Sequence, residues 1–362
     1  MPVTEKSQKS PVKRSWKGPA CLTILLISLT AFVLCIGPFR QRVPALLNVA
    51  TQVVPKERFS GSEFAWLSED AYATFGKDNR TLSRYDLIRG DRTQLIAPLG
   101  SRAWGSHLRA SPDGKWLDWI KFSVGPRYGD VMHVQHAFTH VSDGRTFPWK
   151  TSFQGTWESD SRHVLSVEPG STANGGARLV IFDPFANRIR QTLPLAGDVS
   201  STLENCIEVE PGYLLEISQV SPSNPASLTK ERIGIREYRV DETLRLTREW
   251  SIAPPHGTAV GNIMRVKLSP HGEQIAWLVD SVQIDPGRAA LQRLLPFLKA
   301  PPQVQQQLWI SCLDGKGMRL VGQTLLKTRS GNEVRITDLR WLPNGKRLSF
   351  SYEDALWTVP TH

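Results

Sequence analysis

Ser111-Pro112-Asp113-Gly114-Lys115-Trp116-Leu117-Asp118-Trp119 reads as a tight turn running straight into an alternating apolar strand. Pro112 presets φ for the second turn position, and Asp113 bonds its own backbone two residues on. Gly114 accepts the positive φ that closes the turn. The residues that follow put alternate side chains on one face, as a half-buried strand requires. The same shape returns at Ser269-Pro270-His271-Gly272-Glu273-Gln274-Ile275-Ala276-Trp277 and at Leu342-Pro343-Asn344-Gly345-Lys346-Arg347-Leu348-Ser349-Phe350. Degraded copies stand at Trp66-Leu67-Ser68-Glu69-Asp70, at Trp157-Glu158-Ser159-Asp160-Ser161 and at Val209-Glu210-Pro211-Gly212.

Aligned on the residue that matches Ser111, the copies begin at 67, 111, 158, 210, 269 and 342, at intervals of 44, 47, 52, 59 and 73. A period of roughly 40–50 residues built from short strands is the mark of a propeller blade. The expected fold is therefore all-β, a six-bladed β-propeller spanning 51–362. Blade one covers 64–97, blade two 106–149, blade three 153–195 and blade four 203–251. Blade five carries the main insertion, 281–305, in which Leu291, Leu294, Leu295 and Leu298 recur at helical spacing after Asp285-Pro286, so a short helix is expected. The last blade offers three strands, Ile336–Trp341, Leu348–Tyr352 and Ala355–Val359, before the chain ends. A ring closes when one terminus supplies the strand the other lacks, which assigns Gln52–Phe59 to the sixth blade.

The Ser-Pro-Asp-Gly-Lys turn followed by an apolar strand resembles the repeat of TolB-type β-propellers, a WD-repeat-like family. The resemblance covers about 300 residues, from near Trp66 onward. Three of the six copies depart from the pattern, most of all the shortened one at Val209. The resemblance implies a propeller fold and protein partners at the cell envelope; it implies no activity.

The chain carries a formal charge of +10 over 362 residues. Up to residue 42, Lys6, Lys9, Lys13, Arg14, Lys17, Arg40 and Arg42 face Glu5 alone, so that segment holds +6 and leaves +4 for the other 320 residues. Nucleic-acid binding needs Lys and Arg clustered on the folded part, and nucleic acid is not expected as a partner. Residues 1–18 are polar and basic, and a disordered cytoplasmic tail is expected. The stretch 19–39 contains an uncharged run, Ala20 to Ile36, within reach of a bilayer's hydrocarbon core at about 1.5 Å per residue. It is longer than most signal-peptide cores and no small-x-small site follows, so an uncleaved transmembrane signal-anchor is expected. The basic flank places the N-terminus in the cytoplasm and the propeller on the extracytoplasmic side. Residues 40–50 read as a tether. Cys21 and Cys35 lie inside the apolar run and Cys206 and Cys312 on different blades, so the four make no disulfide framework.

Three histidines, His133, His136 and His140, would share one face of a helix and suit zinc or copper there. The segment instead belongs to the third strand of blade two, where His136 and His140 face one way and His133 the other. No metal site is assigned. The chain has no Gly-x-Ser-x-Gly elbow, phosphate loop, Gly-x-Gly-x-x-Gly or Cys-x-x-Cys, and no catalytic residue or cofactor is assigned either. Asp118, Asp160, Glu208 and Glu216 read as solvated or turn carboxylates. Loops between blades hold Arg102, Trp104 and His107, then His256, then Arg335. An aromatic among cations there clamps an acidic peptide or a carboxylated ligand, so these five are the candidate binding residues. The expected function is a membrane-anchored, exported scaffold or protein-binding module without enzymatic activity. The alternative is a hydrolase or lyase centred on the channel and acting on a small molecule. An enzyme should converge perturbed acids or histidines on the channel mouth, and a binding module should not.

Overall fold

The computed structural model of the chain describes residues 45–55, 59, 63–125, 132–149, 155–158, 160–168, 178–194, 203–209, 212–220, 232–240, 244–253, 255, 263–283, 303–325, 327–329 and 332–362. Among them the strands form six four-stranded antiparallel sheets and one small hairpin, Lys327–Arg329 with Asn332–Val334. Sheet 1 is Phe64–Ser68, Ala71–Phe75, Leu82–Asp86 and Arg92–Gln94. Sheet 2 is Ala103–Ala110, Trp116–Val124, Met132–His140 and Thr146–Trp149. Sheet 3 is Gly155–Trp157, Val164–Glu168, Arg178–Asp183 and Arg188–Pro194. Sheet 4 is Leu203–Val209, Gly212–Val220, Arg232–Val240 and Leu244–Ile252. Sheet 5 is Ile263–Leu268, Gln274–Gln283, Gln303–Cys312 and Arg319–Leu325. Each of these five takes its strands in chain order.

Sheet 6 differs. Thr337–Trp341, Arg347–Tyr352 and Ala355–Pro360 are joined by Thr51–Val54 from the other end of the chain. Thr51 pairs with Thr358, Gln52 with Trp357 and Val54 with Leu356. The strand expected to close the last blade is in place, and it covers an edge that Ala355–Pro360 would otherwise leave open.

The repeated turn has the geometry its residues dictate. Gly114 donates to the Ser111 carbonyl at 2.9 Å with φ at +68°, and Ser111 Oγ accepts the Trp116 N–H at 3.0 Å. Gly272 and Gly345 repeat the bond, to Ser269 and Leu342, with φ of +66° and +68°. In the degraded copy at Trp157 it is Ser161 that donates to Glu158 and takes the positive φ, +57°. These turns also fasten neighbouring sheets. The Asp113 N–H donates to Ser161 Oγ at 2.9 Å, and the Asn344 N–H to Glu69 Oε1 at 3.0 Å. Gly114 lies so close to the turn of sheet 1 that a Cβ there would stand 1.9 Å from the Leu67 carbonyl oxygen.

Among the described side chains, apolar residues from both sheets pack together at five of the six junctions. Phe75 and Leu82 of sheet 1 meet Leu108 and Leu117 of sheet 2. Phe138 and Trp149 of sheet 2 meet Trp157 and Phe182 of sheet 3, and the first strands of sheets 3 and 4 adjoin. Ile235 of sheet 4 packs with Trp277 of sheet 5, and Leu308 of sheet 5 with Phe350 of sheet 6. Val54 and Leu356 of sheet 6 return to Phe64 and Tyr72 of sheet 1. Indoles bridge sheets as well: Trp66 Nε1 donates to Ser349 Oγ at 2.7 Å and Trp341 Nε1 to the Lys267 carbonyl at 3.0 Å. This succession of sheets, with its first and last members in contact, is consistent with a propeller.

The structure redraws two boundaries read from sequence. Residues 281–283 and 303–305, assigned to the insertion, belong to strands. The ladder between the second and third strands of sheet 5 runs unbroken to Gln283 opposite Gln303, because each further pair satisfies backbone groups that a loop would leave to water. The helix expected after Asp285 lies outside the described residues. Within the tether 40–50, residues 46–49 form one helical turn whose Leu46 is wholly buried against sheets 5 and 6. Gly322 makes room for it, since a Cβ at 322 would come within 2.7 Å of the Leu46 Cα. The tail 1–18 and the expected anchor 19–39 lie outside the described residues. No helix among the described residues is long and apolar enough to cross a membrane.

Candidate functional site

A cavity of about 600 Å³ is lined by the first strands of sheets 2, 3, 5 and 6 and by Glu63, just ahead of sheet 1. Its position follows from the repeat. Two residues before each turn head stand Ala65, Arg109, Thr156, Glu208, Lys267 and Arg340, and four before it stand Glu63, His107, Gln154, Cys206, Arg265 and Asp338. Eight of the twelve residues lining the cavity come from these two positions. In sheets 2 and 6 the first strand carries a bulge between these positions, at Ser106/Arg109 and Thr337/Arg340, and in sheet 5 just ahead of them, at Ile263/Arg265. His107 and Asp338 sit in those bulges with φ of +56° and +50°. A bulge re-aims side chains locally, here toward the cavity while Leu108 and Leu339 stay buried in the core.

The lining is basic. Arg109, Arg265, Lys267 and Arg340 oppose two carboxylates, Glu63 and Asp338. Both carboxylates hold backbone of an adjacent sheet. Glu63 accepts from Ser106 Oγ at 2.8 Å and from the Leu108 N–H at 3.3 Å. Asp338 accepts from the Phe64 N–H at 3.0 Å and from Arg340 Nε at 2.9 Å. Arg340 reaches over the Phe64 ring, 5.4 Å from its centroid, to the Leu108 carbonyl at 2.8 Å. Sheets 6, 1 and 2 are thus latched at the inner wall. Arg109 donates to the Gly155 carbonyl of sheet 3. Arg265 has no hydrogen bond or ion pair with any described residue, and its guanidinium is available to a ligand.

Behind this wall lie two buried titratable groups. Asp118 faces Arg109 across the first two strands of sheet 2. Burial pushes its carboxyl up to about 7, with Arg109 and Arg340 pulling the other way. His136 packs edge-on against Trp149 and is pushed down to about 4 by burial, then by Arg109 and His107. Neither lines the cavity.

Of the five candidate binding residues, the structure brings one to the cavity, His107. Trp104 and His107 lie on the first strand of sheet 2, not in a loop, because their alternation extends the ladder to Phe122 and beyond. Trp104 stacks on Phe122 with centroids 5.6 Å apart. Arg102 donates to the Gly125 carbonyl at 2.8 Å, and Arg335 is paired with Asp280 at 3.1 Å. Among the described residues no aromatic-and-cation clamp assembles, since Arg102, Trp104 and Arg335 are committed locally. His256 lies outside the described residues. Arg109, Arg265, Lys267 and Arg340 escaped the sequence reading; the signal was two and four positions upstream of turns already aligned.

The three histidines of the third strand separate as a strand requires: His133 is exposed, His136 buried, and His140 is bonded to Asp143 and Ser142. A different trio, Glu158, Asp160 and His163, gathers its ligand atoms within 4.8 Å. There Asp160 also accepts the Arg162 and His163 N–H groups, and the Arg190 guanidinium stands 3.3 Å from His163 Nε2. With a fixed cation already against the imidazole, the trio braces the turn of sheet 3.

No protein-family model matches the chain, and no curated protein does. Among solved structures it is similar to oligogalacturonate lyase from Vibrio parahaemolyticus, at 13% identity over 82% of this chain and 76% of that one, TM-score 0.46. It is similar to the C-terminal WD40 domain of Sif2 at 12% identity over 87% and 98%, TM-score 0.43. TolB from Acinetobacter baumannii matches at 12% identity over 83% of this chain and 62% of that one, TM-score 0.39. The chain fits a TolB-like β-propeller. The weight of that assignment rests on the sheet order, the repeated turn and the closing strand, and it concerns fold alone.

Proposed function

We propose that the chain is a membrane-anchored, exported propeller of six blades that acts as a non-enzymatic protein-binding module through the mouth of its channel. Six successive sheets, the last completed by Thr51–Val54, support the blade count. The observation that carries the binding reading is the cavity wall, where cations from three sheets face a space whose two carboxylates are already engaged with backbone. Such a wall attracts an acidic segment of a partner and offers it charge-assisted hydrogen bonds. The uncharged run Ala20 to Ile36 and its basic flank support a single-pass anchor with the N-terminus in the cytoplasm. A channel-centred hydrolase or lyase is the second reading, favoured by Asp118, whose raised pKa near 7 suits a general acid. Asp118 sits behind Arg109, however, and so adjusts the charge of the wall instead of meeting a substrate.

Site-specific photocrosslinking in intact cells tests the binding reading. A crosslinker at Thr156, on the cavity wall, should capture an acidic protein. The same group at Ile88, an exposed turn residue of sheet 1, should not. Equal labelling from both positions, or none from Thr156, would sink it. Deleting 19–39 should release the chain from carbonate-washed membranes; retention would remove the anchor.

A further inference from the structure

We propose that the channel cavity binds a small polyanion, a molecule carrying at least two oxyanion groups of the phosphate or carboxylate class held apart from one another. The inference rests on the channel being the binding site and not on which protein docks at its mouth. Its first support is the placement of the cations. Arg265 and Lys267 stand two residues apart on the first strand of sheet 5, while Arg109 and Arg340 come from sheets 2 and 6. Sheets 2 and 5 are three apart in a succession of six, which separates Arg109 from Arg265 and Lys267; Arg340, on sheet 6 next to sheet 5, sends its guanidinium to the Leu108 carbonyl of sheet 2. A ligand with charge at two ends can meet cations of both sheets within a cavity of about 600 Å³.

The second support is the state of the donors. The lining sets four cations, Arg109, Arg265, Lys267 and Arg340, against two carboxylates, Glu63 and Asp338, and Asp338 is itself paired with Arg340. Arg265 has no partner among the described residues. Arg109 and Arg340 each place a guanidinium donor on a main-chain carbonyl, and Arg340 a second on Asp338, which fixes each fork while the five N–H groups of a guanidinium leave others to point elsewhere. Pre-fixed forks of this kind lose little freedom on binding and favour planar, multidentate oxyanions. The volume falls in the range of small-molecule sites. Thr156 and Thr337 add neutral hydroxyls to the same lining. The buried Asp118 behind Arg109 is pushed toward its neutral form, which keeps it from cancelling the guanidinium charge.

Isothermal titration of the full-length chain in detergent, at fixed ionic strength, tests this with pyrophosphate, orthophosphate and citrate. Pyrophosphate or citrate should bind at least about tenfold more tightly than orthophosphate, the loss of two charge-assisted bonds. Tighter binding of pyrophosphate than citrate assigns the phosphate class, and the reverse assigns the carboxylate class; either supports the proposal. Arg265→Gln with Lys267→Gln should weaken the preferred ligand by about tenfold or more, while Arg89→Gln, on an exposed turn, should leave it unchanged. Arg265→Gln alone removes no hydrogen bond or ion pair among the described residues, and its weakening of binding reads out the site even where the double variant folds poorly. No heat from any of the three, equal affinity for orthophosphate, or indifference to Arg265→Gln would overturn the proposal. Because crosslinking from Thr156 reports the protein partner separately, a chain that binds pyrophosphate and captures no protein keeps this inference and loses the other.

Discussion

Asp118 and His136 lie on neighbouring strands of sheet 2 and respond to protons with opposite sign. The folded chain raises Asp118 from 3.8 to about 7, so it holds that proton more tightly than the unfolded chain does. This contribution to stability grows as pH falls from 7 toward 4 and is a cost above 7. His136 is lowered from 6.5 to about 4, so its contribution is lost as pH falls through that window. The charged and titratable groups acting on the two are Arg109, Arg340 and His107. Asp118→Asn should therefore be more stable than the parent at pH 8 in urea unfolding and should decline below pH 6.5; unchanged pH slopes would contradict this. Gly114 supplies a second residue-scale expectation. Gly114→Ala forces a positive φ and a clash with the Leu67 carbonyl, and should cost about 3 kcal/mol or more. Gly90→Ala, at φ +70° with nothing within 4 Å, should cost only about 1–2 kcal/mol. Equal losses at the two sites would show that the packing of one turn on another carries no weight.

At the scale of the element, the closing strand concentrates the risk. Removing residues 1–55 strips Thr51–Val54 from Ala355–Pro360 and takes away the buried Leu46 as well. The truncated chain should aggregate through the bared edge, and a peptide of residues 45–55 added in trans should restore monomers in size-exclusion chromatography. A monomeric truncated chain without the peptide would refute the role of that strand. The strand itself was legible from the sequence, because the last repeat was visibly one strand short. So were the turns, since Pro112, Asp113 and Gly114 act on their own backbone and need no distant partner. The wall of the site was not. Arg109 and Arg340 look like ordinary strand residues until the bulges beside them turn the strand inward, and a bulge depends on pairing with a second strand. Trp104 failed for the same reason in reverse: it was read as a loop residue, and its pairing with Phe122 was invisible without the sheet.

Across the whole molecule, the inner latch holds the junction where sheets 6, 1 and 2 meet. Arg340→Ala removes the bonds to Leu108 and Asp338 and leaves a main-chain carbonyl without its donor. A loss of about 1–3 kcal/mol is expected in chemical denaturation. Arg340→Lys should recover only part of it, because one ammonium cannot reproduce a fork with two acceptors. Full recovery with lysine would mean that charge alone matters there. The pairing of Thr51 with Thr358 also dictates an order of events during biosynthesis. The strand that completes sheet 6 is made about 300 residues before the strand it pairs with. Bringing such distant segments together carries a loop entropy that local hairpins escape. Sheet 6 therefore stays one strand short until Ala355–Pro360 has been made, and a product terminated before it leaves Thr51–Val54 unpaired for proteases and chaperones to recognise.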